Sequence, residues 1–172
     1  MNIETFDNLE GVKLINLPIY LDNRGSFSAI PNPASYLEGD IVQINNSVSH
    51  KGVLRGMHHQ PNTQQGKLVT CIRGGVYDMV YDNRPDSPTY QQSQCFYLVN
   101  PNTYLYVPRG YLHGFISLLD NTQFQYYIDN HYDPTDEETV SWKIMEDKID
   151  WESLGVRGIT KSNLIISDKD NI

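Results

Sequence analysis

The chain has 172 residues, a length that fits one domain spanning residues 1–172 with a hydrophobic core of its own. Its formal net charge is −8, which argues against nucleic acid as a partner, because phosphate backbones are bound through a surplus of basic surface. We find no cleavable leader at the start of the chain and no apolar run near the ~20 residues that span a bilayer. These features predict a cytoplasmic protein with no membrane partner.

Short apolar runs separated by turn residues predict strands along most of the chain. The predicted strands are Val12–Leu17, Ile19–Leu21, Ser26–Ile30, Ile41–Asn45, Leu68–Ile72, Val76–Tyr81, Thr89–Val99, Thr103–Val107, Tyr111–Leu118 and Gln123–Ile128. Asp22–Gly25 and Asn83–Pro88 carry turn residues, Pro31–Pro33 breaks the pattern, and a short helix is predicted near Tyr36. Gly74-Gly75 separates two of the strands and predicts a tight hairpin.

Many short strands at regular spacing, with little helical periodicity, indicate an all-β sandwich or barrel. The tail from Asp136 to Trp151 differs, because it mixes charged residues with Trp142, Ile144 and Ile149. It predicts irregular or short helical structure packed on the strands. The chain contains no repeat, linker or low-complexity segment, which agrees with a single domain.

One stretch, Gly52–Gln60 with Gln65–Val69 after it, concentrates chemically active residues between predicted strands. It places an arginine, two histidines, a glutamine and a lysine within 16 residues. Such a cluster can bind an anion, move a proton and stabilise a negative charge that forms during a reaction. Arg24, Arg55 and Lys67 each lie inside a motif, which is the pattern expected of the basic residues of an anion-binding site.

His58 and His59 are adjacent, so on a strand at most one of them faces the interior. This spacing argues against a metal site, because neighbouring strand residues rarely converge on one ion. Cys71 and Cys95 form no Cys-x-x-Cys motif and are interpreted as reduced core thiols. On a regular strand, Arg55 and His58 would point to opposite faces. A β-bulge at Gly56 would bring these two side chains to the same face.

Three further residues have both a functional and an ordinary interpretation. His113 ends the pattern Pro-x-Gly-x-x-His and is either a hydrogen-bonded core residue or part of a site. Tyr126 precedes Tyr127, so one of the two can face inward, although aromatic packing is the ordinary role of tyrosine. Asp170 lies close to the end of the sequence, where a solvated tail is the ordinary expectation.

Taken together, these motifs make the chain resemble the dTDP-4-dehydrorhamnose 3,5-epimerase family, a group of cupin-type sugar-nucleotide epimerases. The resemblance covers nearly the whole chain, and its specificity comes from the order and spacing of the motifs. The motifs are Asp22-x-Arg-Gly-x-Phe27, Gln43-x-Asn45, Val53-Leu-Arg-Gly-Met-His58 with Gln60, Gln65-Gly-Lys-Leu-Val69, Ser87-Pro-Thr89, Val107-Pro-x-Gly-x-x-His-Gly-Phe115, Tyr132-x-Pro134, Ile149-Asp-Trp151 and Ser167-x-Lys-Asp170.

This resemblance implies a cupin jelly roll, also called a double-stranded β-helix, with a short helical or irregular C-terminal segment. It implies a homodimer that works without a metal or another cofactor. It also implies epimerisation of C3 and C5 of dTDP-4-keto-6-deoxy-glucose, a nucleotide-diphosphate sugar on the route to dTDP-L-rhamnose.

By motif match, His58 is expected to be the catalytic base and Asp170 its carboxylate partner. Tyr126 is expected to be the acid on the opposite side of the sugar, and Lys67 to lie near the C4 oxygen. The substrate-binding residues implied by the resemblance are Arg24, Phe27, Gln43, Asn45, Arg55, His113 and Tyr132.

One departure from the family pattern bears on the substrate. Family members usually carry Glu two residues after the phenylalanine that matches Phe27, whereas this chain has Ala29, which leaves the nucleotide base open. The reaction also has alternatives: epimerisation at C3 alone, or ketoisomerisation of the same or another nucleotide-linked 4-keto sugar. A cupin that binds a nucleotide sugar without catalysis is the alternative from another class, and a metal-dependent cupin is a weaker one.

Overall fold

The computed structural model describes residues 1–30 and 32–172, and the described chain is mainly β-sheet. Its strands are β1 (Asn2–Phe6), β2 (Leu9–Asn16), β3 (Tyr20–Asp22), β4 (Gly25–Phe27), β5 (Gln43–Ser49), β6 (Val53–His59), β7 (Lys67–Arg73), β8 (Val76–Asp82), β9 (Ser93–Leu98), β10 (Thr103–Val107), β11 (Tyr111–Ser117), β12 (Thr122–Ile128), β13 (Glu138–Thr139) and β14 (Ile165–Ile166). The helices are α1 (Trp151–Val156) and 3₁₀ turns at Pro33–Tyr36, Trp142–Met145 and Lys161–Asn163.

The strands form two large sheets that face each other. The first sheet has the order β1-β2-β10-β7-β12-β5, and the second has the order β13-β6-β11-β8-β9, with β14 also paired to β6. Neighbouring strands run antiparallel, except that β14 runs parallel to β6. Strands β3 and β4 form a separate two-stranded ribbon. The prediction of an all-β cupin jelly roll is confirmed.

Alternation along the strands builds the core between the two sheets. Val69 of β7 and Phe124 of β12 point inward from the first sheet, and Val80 of β8 and Phe115 of β11 point inward from the second. The rings of Phe115 and Phe124 lie 4.9 Å apart between centroids, in a tilted arrangement that aromatic pairs favour. This apolar centre closes one end of the space between the sheets and leaves the other end open.

The predicted short helical tail is observed, and it covers the outer face of the second sheet. Trp142, Ile149 and Leu154 of the tail pack on Met79 and Leu112. Because both of their faces are covered, β8 and β11 are buried at every position. Helix α1 begins after Asp150, whose carboxylate accepts a hydrogen bond from the Ser153 amide at 3.0 Å.

The hairpin predicted at Gly74-Gly75 is wrong. Strand β7 belongs to the first sheet and β8 to the second, so the two glycines carry the chain from one sheet to the other. Gly74 has a φ of +86°, which glycine adopts readily. The glycines therefore mark a reversal of the chain, as the sequence suggests, but the strands that they join do not pair.

Other predicted boundaries also change. The run Thr89–Val99 becomes a strand only from Ser93, because the Thr89 hydroxyl donates to the buried carboxylate of Asp82 at 2.6 Å within the β8–β9 connection. The short helix expected near Tyr36 is a 3₁₀ turn, and β1 was not predicted. Of the predicted break at Pro31–Pro33, Pro31 lies outside the described residues. None of the helices in the described part of the chain has the length and apolar composition of a membrane span.

Candidate active site

A cavity of about 360 Å³ opens at the unfilled end of the jelly roll, between the two sheets. This volume is within the range of small-molecule sites, about 300–1,000 Å³. Both sheets, the loop before β13 and the segment after β14 contribute side chains. The lining residues are Asn45, Ser47, Arg55, His58, Gln65, Lys67, His113, Gly114, Phe115, Tyr126, Ile128, Tyr132, Glu137, Ser167, Lys169 and Asp170.

His58 and Asp170 are hydrogen-bonded on one wall of this cavity, although they are 112 residues apart in the chain. Asp170 Oδ1 lies 2.7 Å from His58 Nε2, and the Gly56 amide donates to Asp170 Oδ2 at 3.2 Å. Asp170 is only 3% exposed, so the ordinary expectation of a solvated tail is wrong for this residue. Because Nε2–H donates to the carboxylate, Nδ1 of His58 is free to accept a proton.

A bulge in β6 brings Arg55 and His58 to the same cavity, as the sequence predicts. Arg55 pairs with Phe115, whereas His58 pairs with His113, so β6 has one extra residue between these positions. Gly56 lies in the bulge with a φ of +125°, and a Cβ atom there would be 2.5 Å from the Cα of Gly114. The close packing of the two glycines therefore permits the irregular backbone that aims His58 inward.

Burial and nearby charges act against each other on the His58 imidazole. Burial lowers its pKa below the ordinary value, and the carboxylates of Asp170 and Glu137 only partly offset this effect. Glu137 Oε1 is 3.9 Å from His58 Nδ1. His58 is therefore mainly neutral at pH 7, as a group that takes up a proton must be.

Tyr126 and Lys67 belong to the opposite wall, on strands β12 and β7 of the first sheet. Burial raises the pKa of the Tyr126 phenol and lowers that of the Lys67 ammonium to about 8. The Tyr126 ring is held edge-on against Phe124, with 4.8 Å between centroids. Tyr127 points to the outer face, so the prediction that only one of the two tyrosines faces inward is confirmed.

His113 lies at the floor of the cavity and is only 4% exposed. Its Nε2 atom lies 2.9 Å from both carboxylate oxygens of Asp78, which is fully buried. Burial raises the pKa of Asp78, while its attraction to His113 and Lys67 opposes the rise. The floor therefore holds a lysine, a histidine and a carboxylate that interact through a poorly solvated space.

Glu137 and Lys169 belong to the cavity but were missed as candidate residues. Glu137 accepts a hydrogen bond from the Tyr132 hydroxyl at 3.0 Å and forms an ion pair with Lys169. Glu137 lies in a loop, where neither spacing nor periodicity distinguishes it from a solvated residue. Lys169 stands inside the motif Ser167-x-Lys-Asp170, which was the one sequence feature that pointed to it.

The residues expected to bind the nucleotide divide into two groups. Asn45 and Arg55 line the cavity, and Gln43 adjoins it by donating to Asn45 Oδ1 at 2.6 Å. Arg24 and Phe27 lie on the β3–β4 ribbon, outside the cavity. The Arg24 guanidinium binds Asp22 at 2.6 Å, and Phe27 is 66% exposed. Within one chain, the structure does not bring Arg24 and Phe27 to the site.

The donor set of the cavity favours proton transfer. Its carboxylates are engaged with histidine, lysine or tyrosine, and the described residues contain no group of three or more histidine, cysteine or acidic side chains placed to hold a metal ion. One wall presents a neutral imidazole backed by a carboxylate, and the other presents a protonated phenol. An ammonium group lies with the phenol, where it can stabilise an oxyanion.

The family model for dTDP-4-dehydrorhamnose 3,5-epimerase matches residues 7–172. The chain belongs to this family. It is 36% identical to the dTDP-4-dehydrorhamnose 3,5-epimerase of Methanothermobacter thermautotrophicus over 168 residues, which cover 95% of this chain and 88% of the relative.

Solved structures of the epimerase family have the same fold. A dTDP-6-deoxy-D-glucose-3,5-epimerase from Legionella pneumophila, in complex with dTDP-4-keto-L-rhamnose, superposes with a TM-score of 0.83 and 32% identity, and covers 98% of this chain and 89% of its own. A 3′-monoepimerase from Streptomyces bikiniensis, in complex with dTDP-quinovose, has a TM-score of 0.76 and 28% identity, with coverage of 94% and 82%.

Proposed function

We propose that this chain epimerises C3 and C5 of a dTDP-linked 4-keto-6-deoxyhexose by proton removal and return, using its own side chains and no cofactor. The observation that carries the proposal is the position of His58, with Asp170, on one sheet and of Tyr126 on the other, across a single cavity. Inversion at carbon requires a proton to leave one face and another to arrive at the opposite face, and these two walls provide for both.

In the first step His58 takes the proton from the carbon next to the C4 ketone. The electrons of the broken C–H bond move toward the C4 oxygen and give an enolate. The Lys67 ammonium provides positive charge for that oxygen, which lowers the energy of the transition state. Asp170 holds the imidazole in one tautomer and stabilises the imidazolium that forms.

In the second step Tyr126 donates its phenolic proton to the same carbon from the other side, and the carbonyl forms again. The phenol is protonated at neutral pH, because its pKa lies above the ordinary tyrosine value, so a proton is available before each transfer. His58 then loses its proton to solvent and Tyr126 regains one. Repetition at the second carbon completes the double inversion with all protons balanced.

Binding of the nucleotide and diphosphate, away from the reacting carbons, would orient the sugar in the cavity. Arg55 lies at the cavity, where its guanidinium suits a diphosphate, and Asn45 and Gln43 lie nearby for polar contacts. The Legionella pneumophila relative in complex with dTDP-4-keto-L-rhamnose supports a dTDP-linked substrate. Because Ala29 stands where Glu is usual, we expect weaker discrimination between thymidine and other nucleosides.

We further propose that the active form is a homodimer. Arg24 and Phe27 are exposed on a ribbon outside their own cavity, and Leu21 of the same ribbon is 79% exposed. A second copy of the chain would bury this apolar surface. Arg24 and Phe27 of each subunit would then lie at the substrate site of the other subunit. The cytoplasmic location also remains a prediction.

Epimerisation at C3 alone is not favoured as an alternative. The family model and the relative from Methanothermobacter thermautotrophicus are named for the 3,5-reaction, whereas the 3′-monoepimerase is a more distant match by identity and TM-score. Ketoisomerisation would move the carbonyl along the ring, so the product's carbonyl position separates it from epimerisation.

The deciding experiment is NMR of dTDP-4-keto-6-deoxy-glucose incubated with the protein in D₂O. We expect deuterium at both C3 and C5, with the carbonyl still at C4, and no exchange above the uncatalysed rate with His58→Ala. The matched control is His59→Gln, because His59 is adjacent but does not line the cavity. Binding of the nucleotide sugar without exchange would contradict catalysis and support a binding protein.

A further inference from the structure

Asp170 is the single buried residue of an otherwise exposed segment, residues 167–172, here named the strap. Asp170 is 3% exposed, whereas the Ile172 side chain is 56% exposed. The strap therefore has little apolar surface to hold it, and a buried carboxylate costs free energy unless its partners compensate. The position of Asp170 thus depends on the polar contacts of the strap.

Contacts on both sides of Asp170 fix the strap. Before it, β14 pairs with the first residues of β6, the strand that carries His58. After it, the carbonyl oxygen of Ile172 accepts hydrogen bonds from Ser141 Oγ at 2.6 Å and from Lys143 Nζ at 3.3 Å. The segment that contains Asp170 is therefore held on both sides, and the ion pair of Lys169 with Glu137 adds a contact between them.

Ser141 and Lys143 belong to a segment that is fixed by packing and by backbone hydrogen bonds. Trp142, between them, is only 6% exposed and packs in the cluster on the outer face of the second sheet. Val140 exchanges two backbone hydrogen bonds with Met57 of β6, at 2.9 and 3.1 Å. The donors that hold the strap are thus joined directly to the strand that carries His58.

We propose that Ser141 and Lys143 are positioning residues that keep the strap closed and thereby hold Asp170 on His58. The proposal rests on the proposed function, in which Asp170 orients and stabilises the base. Ser141 and Lys143 do not line the cavity and touch no reacting atom. They act on the reaction only through Ile172 and the strap.

The charge around His58 provides a readout that needs no substrate. Three charged groups face its imidazole: Asp170 and Lys169 from the strap, and Glu137 from the loop before β13. Opening the strap removes Asp170 and Lys169 together. Of these two losses, that of Asp170 has the larger effect and lowers the pKa, because Asp170 contacts the ring at 2.7 Å while the Lys169 ammonium is paired with Glu137. Exposure of the ring to water acts the other way, because burial is the main cause of the lowered pKa of His58. The two effects can be separated in Asp170→Asn, where the carboxylate is already lost and an open strap only exposes the ring.

The test combines kinetics with NMR titration of His58 in four proteins: the wild type, Ser141→Ala/Lys143→Met, Asp170→Asn, and the triple variant. In the double variant we expect kcat to fall about tenfold with KM almost unchanged, since small displacements of a catalytic group are costly. We also expect the His58 pKa of the triple variant to lie above that of Asp170→Asn, because the open strap exposes the ring to water. The fall in kcat should not appear when the double substitution is added to Asp170→Asn.

Two controls separate the strap contact from general effects on the surface. Lys148→Met removes an exposed lysine near the same turn and should leave both readouts unchanged. Lys143→Arg and Ser141→Thr keep the hydrogen-bond donors and should have the kcat of the wild type. The proposal is overturned if the double variant keeps the wild-type kcat and His58 pKa, or loses as much activity in the Asp170→Asn background. If the wild type shows no epimerisation, the proposed function fails, and the His58 titration alone still decides the role of the strap.

Discussion

At the scale of single residues, burial shifts the pKa values of the three groups that the proposed reaction uses. It lowers the pKa of His58, so the proposed base is neutral at pH 7, and raises that of Tyr126, so the proposed acid is a protonated phenol. Burial also lowers the pKa of Lys67 to about 8, so its positive charge is retained at neutral pH but lost in mild alkali. Opposed shifts of this kind are typical of acid–base sites.

The pH dependence of kcat/KM follows from these shifts. The rate should fall with decreasing pH as His58 gains a proton, with a midpoint below the ordinary histidine value. It should also fall above about pH 8 as Lys67 loses its proton. Lys67→Arg should move the alkaline limb to higher pH, because arginine stays protonated. An alkaline limb unchanged in Lys67→Arg would contradict the role of this lysine.

Tyr126→Phe should separate proton removal from inversion. His58 can still take the proton and return it to the same face, so deuterium from solvent should enter unreacted substrate while new product falls by a factor of about 10²–10⁴. Tyr127→Phe serves as the control, since that ring lies on the outer face of the first sheet. NMR of one sample in D₂O measures exchange and inversion together. Loss of exchange and inversion in equal measure would contradict the assignment of Tyr126 as the acid.

At the scale of elements, the bulge in β6 does most to shape the site. One extra residue changes the alternation of side chains, so that Arg55 and His58 face the same cavity. Its amide group at Gly56 also binds Asp170, which ties the bulge to the strap. A regular strand would turn one of these two side chains away from the substrate.

Gly56→Ala should therefore damage both stability and activity. Its Cβ would approach the Cα of Gly114 to 2.5 Å, at a φ of +125° that other residues rarely adopt. We expect the free energy of unfolding to fall by about 2 kcal/mol or more, measured by urea denaturation. Gly155→Ala is the matched control. It adds the same methyl group in α1 with no neighbour within 4 Å, and should change stability by less than about 1 kcal/mol. Equal effects of the two substitutions would contradict this account.

The sequence predicts those elements that local patterns specify. Strands β10, β11 and β12 lie close to their predicted positions, because they alternate or are continuously apolar. The prediction of a hairpin at Gly74-Gly75 was wrong because a turn motif indicates that the chain reverses but not which strands pair afterwards. Glu137 was missed for a related reason: it reaches the cavity from a loop, and its partners lie far from it in the sequence.

At the scale of the whole molecule, the β3–β4 ribbon and the edge strand β5 present apolar side chains to solvent. Leu21 and Phe27 on the ribbon and Ile44 and Val48 on β5 are each more than half exposed. Large exposed apolar patches are typical of surfaces that bind a partner. In the proposed homodimer, part of each substrate site would come from the other subunit.

Co-expression of two inactive variants tests this arrangement. His58→Ala lacks the proposed base, and Arg24→Ala lacks a ribbon residue, so each alone should be nearly inactive. In a mixed dimer, one cavity would combine the intact His58 of one subunit with the intact Arg24 of the other. Random pairing should then restore about a quarter of the wild-type sites. Activity equal to the average of the two parents would show that each ribbon serves its own cavity.

Along strand β5, residues that face the substrate cavity alternate with residues that face solvent. Its positions Asn45 and Ser47 line the cavity, while Ile44 and Val48 on the other face are open to solvent. In a saturation scan of 43–49, substitutions at 45 and 47 should therefore alter substrate preference, whereas substitutions at 44 and 48 should first weaken subunit assembly. The two properties would be encoded on interleaved positions of one short strand, and a change in either would be felt at the same cavity.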